Sequence, residues 1–172
     1  MRKRHPRIGI RSHPLSLDME PARLRATERG EVIHHALGAL RAPATEAEVE
    51  RAVRSALASL DLDPADWKIK QDFVDPVKRV LDLPEFARWF GKDALSLTEA
   101  EILNAAGEVV RPDRIVVAGQ QVHVIDFKVG SREESHKEQI ANYVELLRGI
   151  FTGKQVTGFL AYVDEPAVVE IA

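Results

Sequence analysis

The sequence predicts an α+β fold in which helices pack on a central, mainly antiparallel or mixed sheet, and three observations lead there. Apolar residues recur at helical spacing through the first half; after Gly91 the pattern changes to short apolar runs of strand type; and one helical stretch interrupts those runs. A chain of 172 residues with 45% hydrophobic content is one ordinary domain with a single core. We divide it into a basic linker or arm at 1–20 and one domain at 21–172, with a helical part at 21–92 and a sheet core at 93–172.

In order along the chain, Met1 to Arg11 carries Arg2, Lys3, Arg4, Arg7 and Arg11, and Pro6 and Pro14 interrupt any regular pattern. We read it as a solvated tail in preference to a DNA-binding arm. Glu20 to Leu40 has Leu24, Ile33, Leu37 and Leu40 at helical spacing. Thr45-Glu46-Ala47-Glu48 is a capping box, and Val49, Val53, Ala56, Leu57 and Leu60 form one apolar stripe behind it. Asp63-Pro64 starts another helical turn, Pro76 breaks or restarts that segment, and Pro84 opens a short helix with Phe86, Trp89 and Phe90, assigned to the core. Leu95 to Leu103, Val109 to Val117, Gln121 to Lys128, Val156 to Val163 and Val168 to Ile171 read as strands, with a helix at His136 to Gly149 between the third and fourth.

The candidate site lies on the central strands. Ile115, Val116 and Val117 precede Gly119-Gln120, and Val122, Val124 and Ile125 follow, the pattern of a hairpin with a two-residue loop. Centring the hairpin there pairs Ala118 with Gln121 and sets Asp113 opposite Asp126, with Cβ atoms roughly 4.5–5.5 Å apart. Two such carboxylates repel unless a divalent cation sits between them, and an all-oxygen pair favours Mg²⁺ or Mn²⁺ over zinc. The strand period of two returns Lys128 to the face of Asp126 and turns Phe127 toward the core.

Arg111-Pro112-Asp113 and Asp126-Phe127-Lys128 together resemble the paired motif of the PD-(D/E)XK nuclease superfamily. Upstream, Gly30-Glu31-Val32-Ile33-His34-His35-Ala36-Leu37 resembles the G-x-x-x-H-x-x-L helix of RecB-like and AddA-like nuclease domains, and downstream Gln139 to Tyr143 resembles their Q-x-x-x-Y helix. Four elements in the family's order are much more specific than a lone D-x-K. One departure is Arg111-Pro112, where many relatives carry Gly; proline suits a strand start or edge.

The resemblance implies a restriction-endonuclease-like core. It implies metal binding by His34, Asp113 and Asp126, and catalysis by Asp113, Asp126 and Lys128. Gln139 and Tyr143 would contact DNA or brace the site, and Glu99 matches a strand glutamate of relatives better than Glu101 does. His35 diverges from His34 by about 100° around the helix, so one of the two faces the metal, and the spacing from Gly30 favours His34. His123 and His136 have no motif match and are taken as structural.

Composition narrows this further. With no cysteine, the chain can form neither a disulfide nor a cysteine-held iron-sulfur cluster, which places it with the cluster-free relatives and suits a reducing cytoplasm. A net charge of −3 excludes a strongly basic nucleic-acid binder, so DNA contact must come from a local patch and the metal. No run reaches the roughly 18–20 apolar residues of a membrane span. No G-x-x-x-x-G-K-[ST] loop occurs, so there is no ATP site in this chain.

The resemblance therefore implies an Mg²⁺- or Mn²⁺-dependent exonuclease acting on DNA, single-stranded or end-containing. It would be the C-terminal module of a UvrD/Rep-type helicase in double-strand-break repair, and the basic start is what such a piece would carry. Two alternatives stay open: a stand-alone endonuclease or resolvase of the same fold, and an inactive module that only binds DNA or braces a helicase.

Overall fold

The computed structural model describes residues 21–90, 93–104 and 106–171, so the basic arm expected at 1–20 lies outside the described residues. Helix α1 spans Pro21–Ala39 and buries Val32, Ile33, Ala36 and Leu37 on one face. Helix α2, Glu46–Ser59, begins at the expected capping box: the Glu48 N–H donates to Thr45 Oγ1 at 3.3 Å and the Thr45 N–H to Glu48 Oε2 at 2.7 Å. Asp63 caps a short 3₁₀ turn, Pro64–Asp66, through the Ala65 N–H at 2.8 Å. Of the two courses expected at Pro76, a break or a restart, the structure takes the restart. A π turn at Lys70–Val74 runs directly into α3, Asp75–Leu81, so the proline falls in the first turn of α3, where its missing N–H costs least. Helix α4 is Pro84–Trp89, and its Phe86 and Trp89 are buried as expected of core residues.

The sheet half departs from expectation in its first two strands. Each is cut in two: Leu95 to Leu103 becomes β1, Leu95–Thr98, and β2, Ile102–Leu103; Val109 to Val117 becomes β3, Val109–Val110, and β4, Arg114–Ala118. Glu99 causes the first break by taking a φ of 48°, and the second falls at Pro112, which has no N–H for a ladder. Strands β2 and β3 form their own two-stranded sheet, closed by a turn in which Asn104 Oδ1 accepts the N–H groups of Ala106 and Glu108. Strand β5, Gln121–Lys128, has the expected bounds, and β6 and β7 follow at Gln155–Tyr162 and Ala167–Ile171.

The main sheet has the order β1-β4-β5-β6-β7, antiparallel except for the parallel pair β5 and β6, which helix α5, Glu134–Ile150, connects. The alternation of β4 and β5 divides the core. Val116, Ile125 and Phe127 join α1 to α4 on one face, and Ile115, Val122 and Val124 meet Ile140, Val144 and Leu147 of α5 on the other. Each of those α5 side chains contributes about 1.5–3 kcal/mol by leaving water. Gly158 of β6 lets α5 approach, since a Cβ there would lie 2.8 Å from both Ile140 Cγ1 and Val144 Cγ2. The result is an α+β fold with a mixed five-stranded sheet flanked by helices. Among the described residues no helix is long and apolar enough to cross a membrane.

Candidate active site

The hairpin register is the one the glycine turn predicts, with Ala118 opposite Gln121 and Arg114 opposite Ile125. The ladder stops at that last rung, so Asp113 stands just outside β4 and not in a strand pair with Asp126. Its side chain continues where the backbone stops: Asp113 Oδ2 accepts the Phe127 N–H at 2.7 Å. Released from the sheet, the carboxylate also turns toward α1, and its Oδ1 lies 3.1 Å from His34 Nδ1. His35 is exposed and makes no such contact.

Asp126 is buried at 4% exposure beside the parallel strand β6, opposite Leu160. Lys128 Nζ sits 2.5 Å from Asp126 Oδ2 and donates to Gln139 Oε1 at 2.8 Å. Gln139 in turn donates to the Tyr143 hydroxyl at 2.9 Å across one turn of α5. Six expected site residues thus form two linked contact sets at one end of the sheet, His34 with Asp113 and Asp126 with Lys128, Gln139 and Tyr143. Glu99 is not among them. It is an exposed bend residue beyond the end of β1, joined to the site only by its N–H donating to Asp113 O at 3.1 Å. Glu101 pairs with Arg111 at the surface.

Burial and the negative charge of Asp113 push the Asp126 carboxyl up to about 6, against which Lys128 and His34 pull only in part. Burial alone would lower the His34 imidazole, but its hydrogen bond to Asp113 and the charges of Asp113 and Asp126 hold it above its ordinary value. Two carboxylates thus lie close enough for the charge of one to raise the other's hold on its proton. Asp126 Oδ2 is buried without a well-directed hydrogen bond, despite the nearby ammonium. Both features suit a divalent cation, and the donor set of two carboxylates and an imidazole is chemically apt for one. Among the described residues no three His, Asp or Glu side chains already converge as a coordination sphere, because His34 is turned to Asp113 and Asp126 to Lys128.

Two clefts open beside these residues. One, of about 560 Å³, is lined by Gly30, Glu31, His34, His35 and Lys128. The other, of about 630 Å³, lies between α5 and the β2–β3 hairpin and includes Gln139, Asn142 and Tyr143. The contact between Lys128 and Gln139 joins a lining residue of one cleft to a lining residue of the other.

Two supports escaped the sequence reading. Arg114 is 2% exposed, donates to the carbonyls of Leu37 and Leu40 at 2.7 and 3.0 Å at the C-terminal end of α1, and lies 4.7 Å over the Phe90 ring. Burial lowers its guanidinium to about 10, which leaves it charged at neutral pH. The signal available was an arginine at the head of an apolar run. Arg29 and Asp164 form the second support, a bidentate pair between α1 and the turn after β6, for which sequence offers no local signal. His123 is structural, accepting Trp89 Nε1–H at 3.0 Å and meeting the Phe159 ring edge-on.

No curated protein matches the chain. Among solved structures, one titled "Crystal structure of SSO0001" is 18% identical, covers 87% of this chain and 77% of its own, and has a TM-score of 0.32. The family comparison reaches further, for residues 9–170 match the PD-(D/E)XK nuclease superfamily from upstream of α1 to the last strand, and the chain belongs to that superfamily.

Proposed function

We propose that this chain is a metal-dependent DNA exonuclease and the nuclease module of a UvrD/Rep-type helicase, with His34, Asp113, Asp126 and Lys128 as its working residues. Superfamily membership supports the metal-dependent nuclease class. The observation that carries the site is the convergence of helix, hairpin and α5 residues on the sheet end, through the contacts of His34 with Asp113 and of Lys128 with Asp126 and Gln139. The finer reading, RecB-like or AddA-like and fed single-stranded ends by a helicase, rests on the G-x-x-x-H-x-x-L and Q-x-x-x-Y resemblances. Unwinding would come from a separate motor domain, as no phosphate loop occurs in this sequence.

Phosphodiester hydrolysis forms a bond from water oxygen to phosphorus and breaks the bond to the leaving sugar oxygen. His34, Asp113 and Asp126 would hold Mg²⁺ or Mn²⁺, which when bound makes water more acidic and offsets charge on the phosphate. Lys128 supplies a fixed cation to the non-bridging phosphate oxygens, as developing negative charge requires. Gln139 aims that ammonium through its 2.8 Å hydrogen bond, and Tyr143 holds the Gln139 amide in the orientation that accepts it. Asp113 is kept in place by the Phe127 N–H, so the carboxylate need not be reorganised during turnover.

The test is degradation of end-labelled linear single-stranded DNA by the purified chain with Mg²⁺ or Mn²⁺, beside circular single-stranded DNA, EDTA and Lys128→Ala. Expected are digestion of the linear substrate only, its abolition by EDTA, and a loss on the order of 10³-fold in Lys128→Ala. Absence of cleavage of linear or circular DNA by the folded protein with either metal would overturn the reading of an active module.

A further inference from the structure

Outside the catalytic contacts, one polar network reaches both halves of the site. Arg29 lies on α1, the helix of His34, and Asp164 follows β6, the parallel neighbour of the strand that ends in Lys128. Their side chains meet as a fork, Nη2 to Oδ1 at 2.6 Å and Nη1 to Oδ2 at 3.2 Å, the arrangement in which an arginine and a carboxylate hold each other's orientation. Each partner also grips backbone. Asp164 Oδ2 accepts the Gly130 N–H at 2.7 Å, two residues past Lys128, and Arg29 Nε donates to Asp72 O in the π turn at 3.0 Å. The adjoining Val163 N–H donates to the carbonyl of Lys128 itself at 2.9 Å.

We propose that Arg29 and Asp164 are positioning residues that set the separation between the His34 helix and the Lys128 strand end, and with it the metal-binding geometry. This rests on the nuclease reading above. Three features distinguish the pair from an ordinary surface ion pair, which contributes little. Both side chains are partly withdrawn from solvent, at 22% and 32% exposure, and the contact is bidentate. A third N–H of Arg29 and the second bond of Asp164 Oδ2 go to main-chain groups of other segments, so the pair ties four pieces of chain: α1, the π turn, the exit of β5 and the turn after β6. Gly130 has a φ of 92°, so the backbone turns sharply where β5 ends, and the carboxylate holds the N–H at that turn. The 560 Å³ cleft beside the site is walled by His34 and by Gly30, Lys128 and Val129, and the last three are next to or bridged by these contacts. A shift of α1 against β5 therefore changes how His34 and Asp113, which meet across that gap at 3.1 Å, face Asp126.

The experiment uses the whole chain with Asp164→Asn, Arg29→Gln, the double variant, and Arg29→Lys as a milder change. Asp164→Asn keeps an acceptor for the Gly130 N–H and removes the charge pairing. Four quantities are read on each: kcat and KM on linear single-stranded DNA well below the melting temperature, the melting temperature, and Mn²⁺ affinity by calorimetry. Positioning predicts a fall in kcat of about 10-fold or more, weaker Mn²⁺ binding and little change in KM for DNA, with the double variant no worse than either single one. If the variants melt lower but keep kcat and Mn²⁺ affinity when folded, the pair is only structural and the proposal fails by itself. If the wild-type protein binds Mn²⁺ without cleaving, calorimetry on the variants still decides the proposal. A wild-type protein that neither cleaves nor binds Mn²⁺ would overturn the nuclease reading, and this proposal with it.

Discussion

The Asp113 carboxylate accepts the Phe127 N–H at 2.7 Å, one residue beyond the last rung of the β4–β5 ladder, so a side chain closes the hairpin end where Pro112 has ended the strand. The same carboxylate faces His34 at 3.1 Å. Its structural and chemical roles can be separated. Asp113→Asn retains an oxygen for the Phe127 N–H and is expected to fold with near wild-type stability, whereas Asp113→Ala leaves that N–H without its partner and costs about 1–3 kcal/mol. Both remove the charge and are expected to lose nuclease activity by at least about 10²-fold. Urea denaturation of the two variants beside a DNA degradation assay checks this. Equal activity in Asp113→Asn and wild type would remove Asp113 from the catalytic set.

Asp126 leads to a prediction about pH. Its folded-state value, raised to about 6, lies above the ordinary carboxylate value, so the folded protein holds this proton more tightly than the unfolded chain does. The resulting stabilisation is fully present below the unfolded value and is lost as pH rises through about 6. Relative to wild type, Asp126→Asn should therefore gain about 1–3 kcal/mol of stability as pH is raised from about 4 to 7, and it should be inactive. A metal must displace the same proton, so Mn²⁺ affinity of the wild type should strengthen as pH rises through about 6. Denaturation curves and calorimetry at several pH values test both halves. A pH-independent difference between the two proteins would show that Asp126 has no raised value.

Gly30 separates stability from access. It lies inside α1, and a Cβ built on it meets nothing within 4 Å, so Gly30→Ala is expected to stabilise the helix by about 0.5–1 kcal/mol. The added methyl enters the cleft shared with His34 and Lys128, and the expected cost is a raised KM for DNA with kcat little changed. Thermal melting together with steady-state kinetics would reveal it. A destabilised variant would mean that the space beside Gly30 is not open to a methyl group.

The features legible in the sequence are those that depend on short-range pattern. The glycine turn and the alternation around it determine the β4–β5 register, and the capping box and the proline at the start of α4 mark helix ends. His34, Gln139 and Tyr143 are picked out instead by the resemblance of their helices to the G-x-x-x-H-x-x-L and Q-x-x-x-Y segments of RecB-like nuclease domains. The breaks at Glu99 and Pro112 are harder to read, because apolar residues continue on both sides and only the backbone at the break refuses the ladder. That is why Glu99, expected on a strand, is instead an exposed bend residue, although its N–H still reaches the Asp113 carbonyl. Arg29 and Asp164 lie far apart in the chain, and their pairing depends on how α1 settles against the sheet, which no local pattern encodes.

Two glycines near α5 should respond to alanine with opposite signs. At Gly158 the new methyl carbon would stand 2.8 Å from Ile140 Cγ1 and from Val144 Cγ2, on the face of the helix that the sheet supports. Closely packed interiors yield little, so the helix must move outward or two side chains must leave their rotamers, at a cost of about 1–3 kcal/mol. At Gly149 an added methyl meets nothing within 4 Å, and alanine inside the helix is expected to stabilise by about 0.5–1 kcal/mol. The functional effect follows from what α5 carries. An outward shift of a few tenths of an ångström lengthens the 2.8 Å bond from Lys128 to Gln139, loosening the cation proposed to face the phosphate. Gly158→Ala should therefore lose activity beyond its loss of folded population, while Gly149→Ala keeps full activity at higher stability. Melting curves and specific activity normalised to folded protein distinguish the two. If Gly158→Ala retains wild-type kcat when folded, the distance between α5 and the sheet does not govern how Lys128 is held.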